Sequence, residues 1–191
     1  FSPRNIAPVE CLAIPYGWNA IDGSLLSKPN NCALFEKAGQ EGRNLASVIN
    51  AIRGMTKERK IHILCHGLGA RVVMQSFEHL TSAIVDRVVV LGGHEFNANT
   101  LTALRTPAAR KAQFYNLRSN CQKMVDLRAD AEMPKSGPKD QLIAHGFVFQ
   151  RRNWVDLNMS DRDQRLHFLR GASARTSAND HSTWSFGPHV A

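Results

Sequence analysis

The chain has 191 residues, 43% of them hydrophobic and 21% charged, with a formal net charge of +8. That is one domain's length with enough apolar side chains for a core. It excludes a disordered chain, and no apolar run approaches the ~20 residues of a membrane span. The 13 Gly and 8 Pro fall without a period, which excludes a collagen-like or low-complexity chain.

The first expected strand is 11–15, ending in a turn over Tyr16, Gly17, Trp18 and Asn19. A polar loop then runs to about residue 37. Over 40–55 the apolar residues Leu45, Val48, Ile49, Ile52 and Met55 recur at helical spacing. A strand follows at 61–65, then a helix over 68–80 with Val72, Val73, Met74 and Phe77 inward. The strand expected at 87–91 is apolar from Val88 to Leu91, as in strands inside a parallel sheet, and Gly92 and Gly93 end it. A short helix at 99–104 stops before Pro107, and 112–117 is a further strand. The stretch 128–139, with Pro134, Gly137 and Pro138, reads as a loop. Ser160 is a good N-cap for a helix that carries Asp161 and Asp163 in its first turn and ends at Gly171. Strand–helix alternation predicts a single α/β domain over 1–191, its mostly parallel sheet carrying helices on both faces.

Basic residues are spread along the chain, and the densest stretch, 151–170, holds Asp156, Asp161 and Asp163 among its bases. This describes a solvated basic surface, so a nucleic-acid partner is not expected, although a basic nucleic-acid-associated domain is a competing reading. Cys11, Cys32, Cys65 and Cys121 contain no C-x-x-C pair, so zinc-ligand spacing is absent and no metal or cofactor is expected. The expected state is free, mostly buried thiols in a reducing compartment, and no secretory signal is visible. The expected setting is therefore cytoplasmic.

The most informative segment runs through Cys65, His66, Gly67, Leu68, Gly69, Ala70 and Arg71, between an apolar strand and an amphipathic helix. Strand, sharp small-residue turn and helix are the parts of a nucleophile elbow, G-x-S-x-G. The same letters also suit a plain βα turn whose glycines serve helix–strand packing. The segment resembles the α/β-hydrolase superfamily, in particular small bacterial serine esterases and lipases, whose elbow commonly reads G-H-S-L-G-A-R. His66, Leu68, Gly69, Ala70 and Arg71 match that pattern. Cys65 stands in place of the first glycine, and Gly67 stands in place of the nucleophilic serine.

The resemblance implies further positions. Gly17, Trp18 and Leu68 would supply oxyanion-hole N–H groups. Gly92, Gly93, His94, Glu95 and Phe96 follow the next strand, as in small hydrolases of this type. His181, before Ser182, Thr183 and Trp184, occupies the place of the catalytic base. The acid would fall at Gln122 or Lys123, neither of which can hold an imidazolium as Asp does, and Asp126 is the nearest carboxylate. Two of three triad positions are thus lost and one is kept.

Other nucleophiles carry less. Cys65 lies two residues before the tip, in a strand where burial would raise its pKa. Cys121, Ser119 and Ser182 have no elbow context. The expected function is a catalytically inactive hydrolase homologue, a pseudoenzyme acting as a binding or structural subunit for a small acyl or ester ligand or a protein partner. The competing enzyme reading is an active carboxylic-ester hydrolase with an unusual or replaced nucleophile.

Overall fold

The computed structural model describes residues 12–20, 31–55, 60–81, 85–119 and 123–161. Helix α1 (Asn31–Met55) precedes strand β1 (Ile61–His66), and helix α2 (Gly69–Ser76) leads to β2 (Val85–Leu91). Then come α3 (Asn97–Leu104), β3 (Gln113–Arg118), α4 (Lys123–Glu132) and β4 (Trp154–Asn158). The four strands form one parallel sheet in the order β1-β2-β3-β4. This is the α/β class expected from the sequence. The strands at 61–65, 87–91 and 112–117 are neighbours as expected, apart from shifts of one or two residues at their ends.

The register explains which residues are apolar. Ile63, Val88, Phe114 and Trp154 stand in one row across the sheet, and Cys65, Val90, Asn116 and Asp156 in another. These rows share a face because alternate side chains along a strand point the same way. Val88, Val90 and Phe114 are fully buried there, beneath Val72, Val73, Met74 and Phe77. Phe114 lies between Phe77 and Trp154, with ring centroids 5.3 and 5.7 Å away.

Strands paired in sequence order by right-handed crossovers put their helices on one face. The described helices pack against one another, as helices on one face do. Helix α1 packs along α2, and Phe35 of α1 shares a second apolar cluster with Ala129 of α4, Phe96 and Leu142. The expectation of helices on both faces is therefore met on one face only among the described residues. On the other face Leu64 is 50% and Val155 40% exposed.

Several expected elements need correction. Residues 12–15 form no strand: Leu12 and Ile14 are exposed, and the described sheet ends at β1. An apolar run is not a strand without a ladder to join. The loop to residue 37 is wrong from Asn31 onward, because α1 begins there, anchored by buried Leu34 and Phe35. The loop expected over 128–139 is helical up to Glu132. Its helical part, 128–132, alternates charged residues with two alanines, and Ala129 supplies its buried contact. The helix expected over 68–80 is α2 followed by a 3-10 turn at Phe77–His79. Beyond Asp161, the helix expected to end at Gly171 lies outside the described residues.

No helix among the described residues is long and apolar enough to cross a membrane.

Candidate functional site

Ligands of parallel α/β sheets sit outside the carboxyl ends of the strands, where the loops diverge. In this sheet those ends are His66, Leu91, Arg118 and Asn158. Gly67 is the first residue past β1, with φ +53°. That left-handed conformation suits glycine and strains most L side chains. Its N–H donates to Leu91 O at 3.2 Å, and its carbonyl accepts from the Ala70 and His94 N–H groups at 3.1 and 2.9 Å. The chain thus turns sharply from strand to helix around one glycine, and both loops are pinned to it.

The start of α2 follows directly. Leu68 is its N-cap without a side-chain cap, and its carbonyl accepts from Arg71 and Val72 N–H at 3.0 and 3.3 Å. A Cβ added at Gly67 would meet nothing closer than His94 Nδ1 at 3.9 Å among the described residues. Among the described residues a side chain at the tip would therefore have space, although glycine carries none. The neighbouring loop is the opposite case. A Cβ at Gly93 would stand 2.6 Å from Val90 Cγ1, 2.9 Å from Ile143 Cδ1 and 3.1 Å from Ala70 Cβ. Gly93 lets the loop after β2 lie against the first turn of α2.

Beneath the turn lies a buried ionic joint. The Arg71 Nη1 group donates to both Glu95 carboxylate oxygens, at 3.2 and 3.1 Å, and Arg71 Nε donates to Phe35 O at 2.6 Å. Its guanidinium covers the Phe35 ring at 3.6 Å. Glu95 is fully buried and also accepts from the Phe96 N–H at 2.7 Å and Asn99 Nδ2 at 3.0 Å. Burial pushes this carboxyl above the ordinary range, while Arg71 and the other donors pull it back. The joint ties α1, α2 and the loop after β2 together. Sequence reasoning counted Arg71 only as part of a pattern. Its signal was a charged pair flanking two apolar runs, which looks solvated until the fold brings both groups inward.

Cys65 lies on the helix-covered face and donates from Sγ to Val89 O at 3.6 Å. Burial pushes its thiol up to about 12, so it is protonated and unreactive at neutral pH. Cys32 is exposed, which corrects the expectation of mostly buried thiols for this residue. Iodoacetamide at pH 8 is expected to modify Cys32 and leave Cys65 untouched in the folded protein, read by peptide mass mapping. Prompt modification of Cys65 would contradict this placement.

The other expected site residues are only partly brought together. Gly17 and Trp18 lie in irregular chain, and Tyr16 and Trp18 rest against the main core. The Tyr16 hydroxyl donates to Glu41 Oε2 at 3.2 Å, and burial together with Glu41 holds its pKa up. No hydrogen bond links Gly17 or Trp18 to the Gly67 turn among the described residues. Lys123 and Asp126 fall in the first turns of α4, after β3, at the carboxyl end of the sheet. Their side chains, and all of Gln122 and His181, lie outside the described residues. The group that sequence reasoning did not assign is His94, which faces the tip. No cluster of three or more His, Cys, Asp or Glu side chains could hold a metal ion among the described residues.

Comparison with family models, with curated proteins and with solved structures finds no match to this chain.

Proposed function

We propose that this chain is an α/β-hydrolase-like protein whose elbow has lost its nucleophile, and that it acts by binding rather than by turnover. One observation carries the reading. At the carboxyl end of a parallel strand, a turn leads straight into a helix, and its tip is a glycine at φ +53° with room for a side chain among the described residues. A serine hydrolase needs an Oγ at that tip to attack a carbonyl, and glycine has none. The acid position supports the same reading, since Gln122 and Lys123 stand where a carboxylate would orient the base. Helix-start N–H groups and an open tip still suit a ligand oxygen, so the reading assigns a small acyl or ester ligand, or a protein partner that presents such a group.

The test is ester turnover in a short series. The unaltered chain is expected to hydrolyse a p-nitrophenyl ester no faster than buffer. Gly67→Ser alone should restore little, because the base still lacks its carboxylate. Gly67→Ser with Lys123→Asp or with Gln122→Asp should exceed the single variant, since triad members act as a unit. Turnover with a burst in the unaltered chain would make this protein an enzyme and overturn the reading.

A further inference from the structure

The loop that leaves β2 carries an imidazole to the vacated tip. The His94 N–H donates to Gly67 O at 2.9 Å, so the two loops are joined at these residues. A Cβ on Gly67 would lie 3.9 Å from His94 Nδ1, and no other described residue beyond its chain neighbours comes within 4 Å of that point. His94 itself is half-buried.

The residues around it hold its backbone in place. On one side, the Gly92 N–H donates to Leu117 O at 3.0 Å, and Gly93 has no room for a Cβ and accepts at its carbonyl from the Ala144 N–H at 3.1 Å. On the other side, the Glu95 carbonyl accepts from the Ile143 N–H at 2.8 Å and its carboxylate is held by Arg71. Backbone fixed at both flanks keeps the His94 Cα, and so the reach of its ring, beside the tip before any ligand arrives.

We propose that His94 is the imidazole that serves position 67, the contact residue for a carboxylate or carbonyl oxygen held over Gly67. This rests on the reading of the tip as an open binding site and adds a histidine distinct from His181. An imidazole suits the task because it donates a hydrogen bond when neutral and carries charge as well when protonated.

The probe is a carboxylate tethered at the tip. Asp and Asn are the side chains that best tolerate a left-handed residue, so Gly67→Asp and Gly67→Asn share the same backbone cost. The His94 ring protons are titrated by NMR in both variants, with His94→Gln used to assign them. The expected result is a His94 midpoint about one pH unit or more higher in Gly67→Asp than in Gly67→Asn, because an opposite charge at this range favours the imidazolium. Comparing the two variants cancels every other charge around the ring. Equal midpoints, or a shift confined to another histidine such as His181, would overturn the proposal. If neither variant folds, the unaltered chain decides. A nuclear Overhauser contact between the Gly67 Hα protons and the His94 ring protons supports the assignment, and its absence overturns it. Ester turnover by the unaltered chain would sink the non-catalytic reading while leaving this result standing.

Discussion

Arg71→Met is expected to lower the unfolding free energy by about 3–5 kcal/mol at pH 7, the cost of leaving a buried charge without its partner. Glu95 is fully buried, and Arg71 supplies two of its contacts. For a domain whose whole stability is about 5–15 kcal/mol, that loss removes much of the folded margin. The deficit has a defined pH dependence. Burial already holds the Glu95 carboxyl above its ordinary value, and losing the guanidinium pushes it higher. When the folded pKa exceeds the unfolded one, the ionised form is the costly one in the fold. The deficit therefore shrinks as pH falls toward the unfolded value of ~4.3 and grows as pH rises through the folded value. Urea denaturation at two pH values reads both effects. Adding Glu95→Gln should recover part of the loss, because the amide oxygen can still accept from the Phe96 N–H and Asn99. A deficit under 1 kcal/mol, or one independent of pH, would mean that this pair does not hold the joint.

Phe114→Ala should cost a similar amount, about 3–5 kcal/mol, through lost burial and the cavity left behind. Phe114 is the central aromatic of β3, fully buried and in ring contact with both Phe77 and Trp154. Because β3 pairs with β2 on one side and β4 on the other, a collapse there would be felt across the sheet. Phe114→Leu keeps most of the volume and should cost markedly less. Thermal or urea melts of the two variants check this, and a loss under 1 kcal/mol for Phe114→Ala would contradict its place in the core.

What could be read from the sequence follows from where single residues decide conformation. The strand at β1, the turn at Gly67 and the helix after it were legible, because an apolar run ends abruptly at small residues and an amphipathic stripe begins. β2 was legible for the same reason, as a run of Val bounded by Gly92 and Gly93. β4 was missed. Its five residues include Asp156, which looked like surface and instead accepts from Asn116 Nδ2 at 2.6 Å and from the Phe147 N–H at 3.0 Å. The first turns of α1 were missed because their anchor, Phe35, gains its meaning only from Phe96, whose ring lies 5.4 Å away, and from the Arg71 guanidinium above it. The 12–15 strand failed in the opposite sense: locally apolar residues found no partner strand among the described residues.

The same contrast holds at the site. Gly67 was legible because the strand–glycine–helix pattern is local. His94 was not, because its relation to Gly67 depends on β2 lying beside β1 and on two loops leaving the sheet at the same edge. Arg71 and Glu95 likewise meet only after α2 and the β2 loop have packed.

The most direct test of the proposed reading of the Gly67 turn is the mass of the unaltered chain after treatment with an excess of a fluorophosphonate, followed by peptide mapping. A competent elbow serine would displace fluoride and gain the phosphonyl group stoichiometrically, while surface serines react negligibly. The expected result is an unchanged intact mass, with no modified peptide spanning Gly67 or any serine. Stoichiometric phosphonylation of one serine, Ser119 or Ser182 included, would show that this protein carries an activated nucleophile elsewhere, and the account built on Gly67 would be wrong.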